Sequence, residues 1–266
     1  MTVPEYPFRL NRIVVIKAKP ETVFSFFTDS ARWAAWWGSG STIDAKPGGH
    51  VFIRHPNGIE SSGEVLEVTS PKQISFTYGF SSGDPIPPGA SRVTIRLEPH
   101  EIGTRLELMH EFGEAGPRDE HVQGWRFQLS LFANVVANEL HANATSIIDA
   151  WFETWAVTDD LARREALERI VSADIRFYDR FSLLEGLPEL SDHIGASQRF
   201  MPGMSLRRKG QIQHCQGTVI GAWVAIGGDG KERWAGTNIF TLCSDRRITS
   251  VTGFTDPNPV DKETSS

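Results

Sequence analysis

A single acidic residue in an apolar strand pattern is the feature of this chain that most directly suggests chemistry. Residues 175–181 read Ile-Arg-Phe-Tyr-Asp-Arg-Phe, and alternate side chains of a strand point to the same face. The pattern therefore predicts that Asp179 shares an apolar face with Ile175, Phe177 and Phe181. Because a buried, unpaired carboxylate is unfavourable, we expect Asp179 either to pair with an arginine or to serve in ligand binding or proton transfer.

A second polar residue, Asn238, lies in a similar setting. In the predicted strand 231–243 it shares one face with Trp234, Phe240 and Leu242. A buried amide needs hydrogen-bond partners. Asn238 is therefore expected either to make a structural hydrogen bond or to donate one to a ligand.

The composition indicates a globular protein and excludes several functions. The chain has 266 residues, of which 39% are hydrophobic and 23% charged, and its net charge is −6. This acidic balance argues against a nucleic-acid partner. No run of about 20 apolar residues predicts a membrane span, and the N-terminus lacks a signal-peptide pattern. We therefore expect a cytoplasmic protein without a membrane partner.

The histidines, cysteines and glycines do not form a cofactor motif. The eight histidines show no metal-ligand spacing, and the glycine-rich segments do not open a helix as a phosphate-binding loop would. We therefore predict no metal and no cofactor. Cys215 and Cys243 fall in predicted strands, where two reduced thiols are favoured over the alternative of a disulfide.

The first half has the pattern of an antiparallel sheet followed by one long helix. A strand at 12–17 and a short helix from Pro20 precede an aromatic cluster of Trp33, Trp36 and Trp37. Alternating segments follow near 41–45, 50–54, 63–69, 73–80, 92–98 and 104–112. From about Asp119, apolar residues recur at spacings of three and four, which predicts a helix. We expect the sheet to wrap around this helix in a domain spanning residues 8–141.

In the second half the order of elements is different. Helices are predicted at 145–157 and 160–171, then the strand that contains Asp179, and then a helix at 187–200. Four strands follow, near 205–216, 218–227, 231–243 and 246–254. This order predicts an α+β cone, in which a bent sheet wraps around its helices, over residues 144–258. The whole chain is therefore expected to be an α+β protein of two domains.

Residues 10–140 resemble the SRPBCC (START/Bet-v-1) superfamily, and within it the bacterial proteins related to the C-terminal domain of the heat-shock protein 90 ATPase activator. The stretches that carry the resemblance are 20–24, 36–38, 46–49, 63–68 and 103–108, together with His121, Gly124 and Trp125. The resemblance implies a helix-grip fold with an apolar cavity between the sheet and the long helix. It does not imply one activity, since relatives include ligand carriers, cyclases and chaperone-binding modules.

Residues 144–257 resemble the nuclear-transport-factor-2-like superfamily, in the branch of SnoaL-type polyketide cyclases and ketosteroid isomerases. The features that carry this resemblance are Trp151, Trp155, Gly186, and the stretches 236–240, 246–248 and 253–254. The order of elements matters more for it than any one of these features.

This second resemblance implies catalytic roles for three residues. Asp179 matches the base of the isomerases, Asn238 matches their acidic hydrogen-bond donor, and Trp151 matches their phenolic donor. An amide donates less strongly than a protonated acid, and an indole N–H points along a different vector. Steroid isomerisation is therefore put in doubt, whereas a pocket that polarises a carbonyl is not. The helical spacing of Trp151 also fits a core residue.

Mostly aromatic residues are predicted to line a cavity in each domain. They are Trp36, Trp37, Phe76, Tyr78, Phe80, His110, Trp125 and Leu129 in the first domain, and Phe177 and Trp223 in the second. The aromatic side chains of the first domain also fit a filled core, and the alternative for Trp223 is a dimer face. A lone histidine such as His110 is usually a core residue with its hydrogen bonds satisfied.

Three functions are compatible with these features. The first is binding of small hydrophobic or aromatic molecules by two cavity-forming domains. The second is a cofactor-independent cyclase or isomerase that uses Asp179 as general base. The third is a chaperone-interacting module, which rests on analogy of fold alone. We also expect a homodimer that forms through the outer sheet face of the second domain.

Overall fold

The structure is a computed structural model that describes residues 6–257. Within these residues it contains six α-helices and two separate sheets, which confirms the expected α+β class. The chain divides into two compact units between Glu139 and Leu140, close to the predicted linker at 142–143. Asn258, with which the predicted second domain ends, lies outside the described residues.

The first unit is built on an antiparallel sheet of seven strands in the order β1-β7-β6-β5-β4-β3-β2. The strands are β1 (Phe8–Ile16), β2 (Thr42–Ile43), β3 (His50–Arg54), β4 (Glu60–Thr69), β5 (Gln73–Phe80), β6 (Ser91–His100) and β7 (Gly103–Phe112). Its helices are α1 (Pro20–Ser25), α2 (Ser30–Trp37) and α3 (Ala115–Leu140). This is the expected sheet with a long helix after its last strand.

Helix α2 was not predicted as a helix. The Asp29 side chain caps its first turn by accepting a hydrogen bond of 2.9 Å from the amide of Arg32. Trp33, Trp36 and Trp37 then fall on one helix face because they are spaced by three and four residues, and all three are buried. The aromatic cluster seen in the sequence is therefore the buried face of a short helix.

Helix α3 begins four residues before the expected Asp119 and buries the predicted apolar face. Trp125, Leu129, Phe132 and Val136 are at most 4% exposed, and the Phe132 ring centroid lies 4.9 Å from that of Trp36. Neither this helix nor any other in residues 6–257 is long and apolar enough to span a membrane.

The second unit contains a six-stranded sheet in the order β10-β11-β12-β13-β8-β9. Its strands are β8 (Val171–Tyr178), β9 (Leu183–Glu185), β10 (Ser205–Cys215), β11 (Thr218–Ile226), β12 (Glu232–Leu242) and β13 (Ile248–Thr255). Its helices are α4 (Ala144–Thr154), α5 (Asp160–Ile170) and α6 (Leu187–Phe200). Strand β8 pairs with β13 in parallel, and the other neighbours are antiparallel. The predicted order of elements is confirmed, with the short strand β9 in addition.

A buried arginine joins helices α5 and α6 of this unit. Arg163 is 1% exposed, and its guanidinium donates to the carbonyl of Ser191 at 2.9 Å and to that of Val157 at 3.1 Å. It also pairs with Asp160, which holds the pKa of that carboxyl below its usual value. Gly195 leaves room for it, because a Cβ there would lie 2.6 Å from the guanidinium.

Strand alternation separates the two faces of the second sheet. Trp223, Asn238 and Gly253 lie on the face that packs against the helices, and Asn238 and Gly253 are register partners. Ile220, Ile239 and Phe254 lie on the opposite, exposed face. Both cysteines are free thiols, Cys215 exposed and Cys243 half-buried.

Candidate functional site

A cavity of about 260 Å³ lies in the second unit, between helix α6 and the inner face of the sheet. Most of its wall is apolar and comes from Trp155, Phe177, Phe181, Met201, Met204, Leu206, Trp223, Ala225, Trp234 and Gly253. Asp179, Ser197, Gln198, Asn238 and Thr255 contribute polar atoms. Two of the residues predicted to bind a ligand, Phe177 and Trp223, are therefore in this wall.

Asp179 lies at the edge of this cavity, directly after the end of strand β8. Its carboxylate oxygen Oδ1 accepts a hydrogen bond of 2.8 Å from the amide of Phe181. Among residues 6–257 the carboxylate makes no ion pair, so the arginine partner considered from the sequence is not found there. Asp179 also bounds a wider depression of about 920 Å³ that shares Phe181, Trp234, Gly253 and Thr255 with the cavity. The carboxylate is half-buried, at the boundary between the two hollows.

The predicted strand face is correct only as far as Phe177. Ile175 and Phe177 are 1% and 4% exposed, but Phe181 is 82% exposed. The strand ends at Tyr178, and the chain then turns, with the amide of Asp179 donating to the carbonyl of Ser182 at 3.0 Å. The prediction that Phe181 is buried beside Asp179 was therefore wrong, because the strand periodicity stops before Asp179.

Asn238 is 6% exposed and projects from β12 into the cavity wall. Its side-chain oxygen Oδ1 accepts a hydrogen bond of 2.9 Å from the indole nitrogen of Trp223. Within the described part of the chain, its side-chain nitrogen Nδ2 has no hydrogen-bond partner. The structural hydrogen bond expected of Asn238 is thus made by its oxygen, while donation by its nitrogen to a ligand stays a prediction.

Gly253 brings Asp179 and Asn238 together. It is the register partner of Asn238 on the adjacent strand. A methyl group on Gly253 would lie 3.3 Å from Asn238 Oδ1 and 3.4 Å from Asp179 Cβ. A larger side chain would therefore occupy the space between the carboxylate and the amide, and glycine leaves this space open.

Trp151, the third residue predicted to be catalytic, lies in the core of the second unit. It is fully buried, and its ring centroid is 6.0 Å from that of Phe177 and 5.9 Å from that of Phe240. It is not among the residues that line the cavity. Trp155, four residues later and directly after the end of helix α4, lines the cavity instead.

Sequence reasoning did not assign Trp155, Trp234 or Gly253 to the site. Trp234 could have been found, since it lies four residues before Asn238 and strand alternation places both on one face. Gly253 could not, because its role depends on the pairing register of β12 with β13.

In the first unit, the residues predicted to line a cavity pack against one another. Ring centroids are 4.4 Å apart for Trp36 and Trp37, 5.6 Å for Trp37 and Trp125, and 5.6 Å for Tyr78 and Phe80. Phe76 and Leu129 are also buried, at 1% and 2% exposure. These contacts favour the filled core, one of the two interpretations that the sequence left open for these residues.

His110 is at the centre of a hydrogen-bond chain in this core. Its Nδ1 accepts a bond of 2.9 Å from the indole of Trp125, so the ring proton is on Nε2. The Nε2–H group donates to Ser91 Oγ at 2.8 Å, and Ser91 in turn donates to the carbonyl of Tyr78 at 2.9 Å. Both ring nitrogens are satisfied, which favours the structural interpretation of His110.

Burial lowers the pKa of three histidines of the first unit. It lowers the pKa of His110 well below the ordinary value, and nearby His121 lowers this pKa further. Burial also lowers the pKa of His55 and of His121. For the same reason, burial raises the pKa of Tyr78 to about 12. The described residues contain no group of three or more His, Cys, Asp or Glu side chains placed to hold a metal ion.

A family model matches most of the first unit. Residues 17–137 match the family described as "Activator of Hsp90 ATPase homolog 1-like protein", which confirms the resemblance of this half of the chain. No curated protein matches the chain.

Several solved structures are similar to half of the chain. A SnoaL-like family protein from Agrobacterium tumefaciens is 24% identical over 45% of this chain and 99% of its own length, with a TM-score of 0.42. The Aha1 dimer from Colwellia psychrerythraea is 18% identical over 46% of this chain and 90% of its own, with a TM-score of 0.40. Protein MLL2253 from Mesorhizobium loti is 21% identical over 48% and 96%, with a TM-score of 0.43. At these values the likeness carries no argument about function.

The buried histidines predict that the first unit loses stability in mild acid. The pKa of His110 is lowered in the folded state, so below about pH 6.5 the unfolded chain binds a proton that the folded chain does not. The substitution His110→Gln removes the side chain that binds this proton. The amide of the introduced glutamine can still accept a hydrogen bond from Trp125 and donate one to Ser91. We expect the variant to reduce the pH dependence of the unfolding free energy, by up to about 1.4 kcal/mol per pH unit between about pH 6.5 and pH 5.

Urea unfolding at a series of pH values, followed through NMR signals of β6 and β7, measures the pH dependence of the unfolding free energy for the first unit alone. His100→Gln is the matched control, since His100 is exposed at the end of β6. If the unfolding free energy of His110→Gln changed with pH as steeply as that of the unsubstituted protein, His110 would not be the source of the pH dependence.

Proposed function

We propose that the second unit binds a small, largely apolar molecule that carries one hydrogen-bond acceptor. The observation that supports this most directly is the side chain of Asn238, which lines the cavity and belongs to a residue only 6% exposed, while its nitrogen has no partner among the described residues. A buried donor without an acceptor is unfavourable. A ligand carbonyl or ether oxygen in the cavity would satisfy it.

Two other polar side chains of the cavity wall are already engaged, whereas the indole nitrogen of Trp155 is buried without a partner among the described residues. Ser197 donates to the carbonyl of His193 at 3.0 Å. The side-chain nitrogen of Gln198 donates to the carbonyl of Trp155, and to that of Met204 at 3.1 Å. The polar groups available to a ligand therefore include the Asn238 nitrogen, the Trp155 indole nitrogen and the carboxylate of Asp179.

The size of the cavity limits the ligand. A volume of about 260 Å³ lies just below the usual range of small-molecule sites, which begins at roughly 300 Å³. A ligand of one or two rings is the class that fits, and the indole rings of Trp155, Trp223 and Trp234 offer flat apolar surfaces to it.

Proton transfer next to a carbonyl is a second candidate function. It is favoured by the position of Asp179 and Asn238 on either side of Gly253. If the ligand carbonyl accepts from Asn238, its neighbouring carbon lies toward Asp179, which would remove a proton from it. The Asn238 amide would then stabilise the enolate oxygen.

The binding proposal predicts a preference for a ketone over its hydrocarbon analogue. We expect 2-tetralone to bind about fivefold more tightly than tetralin, which has the same ring system without the carbonyl, because one net hydrogen bond contributes about 1 kcal/mol. Asn238→Leu should abolish this preference, while Thr237→Val on the opposite face of β12 should retain it. NMR titration measures both affinities. Equal affinities of the two probes for the unsubstituted protein would contradict the proposal.

The catalytic proposal predicts exchange of the acidic protons of 2-tetralone. In D₂O the protein should accelerate deuterium incorporation next to the carbonyl, and Asp179→Asn should reduce this acceleration by at least about 100-fold, as expected for loss of a general base. Asp174→Asn, an exposed position on the same strand, is the control. Both variants should bind tetralin as tightly as the unsubstituted protein does. If the exchange acceleration persisted in Asp179→Asn, Asp179 would be excluded as the base.

A homodimer that forms through the second sheet is a further part of the proposal. It is supported by the apolar outer face, where Ile220 is 41%, Ile239 36% and Phe254 53% exposed. Ile239→Glu should shift the protein to monomer in sedimentation experiments, because a charge would be buried in the interface. Leu161→Glu, at an exposed position of α5, should not. A monomeric unsubstituted protein at micromolar concentration would exclude this dimer.

Ligand binding by the first unit, interaction with a chaperone and a cytoplasmic location stay predictions from the sequence. The packed aromatic core of the first unit favours a structural role for the residues that were expected to bind a ligand there.

A further inference from the structure

We infer that Trp223 is a positioning residue, which holds the amide of Asn238 with its nitrogen toward the cavity. This inference rests on the proposed function, in which that nitrogen donates to the ligand. Trp223 was expected only to contribute apolar surface, and its hydrogen bond to Asn238 gives it a second task.

The indole of Trp223 reaches Asn238 by lying diagonally across the adjacent strand β12. Trp223 on β11 is the register partner of Gly236 on β12, and Asn238 is two residues further along β12 on the same face. A Cβ on Gly236 would lie 2.6 Å from Cζ2 and 2.8 Å from Cε2 of Trp223. The indole therefore lies directly over Gly236, and only a residue without a side chain fits beneath it.

The chemistry of the indole determines which end of the amide faces it. An indole nitrogen can donate a hydrogen bond but cannot accept one. The atom of Asn238 at 2.9 Å from this nitrogen must therefore be the oxygen. The reverse orientation would bring two donors face to face and would leave the amide oxygen without its present partner.

No other side chain in residues 6–257 holds the amide in this orientation. Gly253, its partner on the other neighbouring strand, has no side chain. The two glycines thus have complementary effects: Gly236 admits the indole on one side, and Gly253 keeps the space beside Asp179 open on the other. The donor direction of Asn238 depends on Trp223 alone.

Fixing the amide in this way makes the cavity selective for acceptors. A ligand oxygen meets an N–H group that is already directed toward it, so no reorientation is required on binding. Without Trp223 the amide would turn freely between its two orientations, and only one of these favours a carbonyl.

Trp223→Phe tests this inference, because it removes the N–H group and keeps an aromatic ring over Gly236. We expect the preference for 2-tetralone over tetralin to fall from about fivefold to less than twofold, while the affinity for tetralin changes little. If Trp223 acts through Asn238, the double variant Trp223→Phe/Asn238→Leu should show no further loss of preference relative to Asn238→Leu. Trp234→Phe removes another cavity indole that does not contact Asn238, so it should alter the affinity of both probes by the same factor.

NMR of the ligand-free protein provides a readout that does not depend on the ligand. Asn238→Leu should shift the indole N–H signal of Trp223 upfield, and Trp223→Phe should shift the side-chain amide signals of Asn238. Both shifts are expected because each variant removes one partner of the hydrogen bond.

The two readouts separate failure of the inference from failure of the proposed function. A ketone preference that survives in Trp223→Phe would overturn the positioning role while leaving the binding proposal intact. Equal binding of ketone and hydrocarbon by the unsubstituted protein would contradict the proposed function, and the NMR shifts would then decide the inference alone. Absence of both shifts would overturn it, whereas their presence would support it.

Discussion

The hydrogen bond from the Trp223 indole to the Asn238 oxygen is the interaction on which the chemistry of the second unit depends. An indole nitrogen only donates, so this single contact of 2.9 Å assigns both ends of the amide. The NH₂ group of Asn238 is left without a partner within residues 6–257, in a largely apolar cavity. The Asp179 carboxylate in the same cavity wall makes no ion pair within these residues. A site that can recognise a carbonyl therefore results from two side chains and from two glycines that make room for them.

The two units use aromatic residues in opposite ways. In the first unit, the indoles of Trp33 and Trp36 donate to the carbonyls of Phe52 and Phe26, each at 3.2 Å. That of Trp125 donates to His110. The rings are thereby held against one another, and they fill the space between the helices and the sheet. In the second unit, Trp155, Trp223 and Trp234 surround a hollow instead. The number of aromatic residues alone therefore does not distinguish a ligand cavity from a core.

The sequence predicted the fold more completely than the site. Period-two alternation in 73–80 and the three-four spacing from Val122 to Val136 were sufficient to predict β5 and the buried face of α3, because each pattern reports burial of one side of an element. Asp179 and Asn238 were found for the same reason, as polar residues in apolar patterns.

Three features of the site depend on information that a linear pattern does not contain. The end of β8 at Tyr178 is set by a turn to Ser182, so Phe181 is exposed although the alternation predicted burial. Trp155 lines the cavity whereas Trp151, on the same face of α4, lies in the core, and this difference depends on the packing around the helix. The pairing of Trp223 with Gly236 and of Asn238 with Gly253 is a matter of strand register, which links residues far apart in the chain.

A crystal structure of the protein soaked with 2-tetralone is the most direct test of the central claim. We predict that the ketone oxygen lies within hydrogen-bond distance, about 3 Å, of Asn238 Nδ2, with Trp223 Nε1 still bonded to Asn238 Oδ1 and the carbon next to the carbonyl facing Asp179. A ketone bound elsewhere, or one whose oxygen points away from Asn238, would contradict this account.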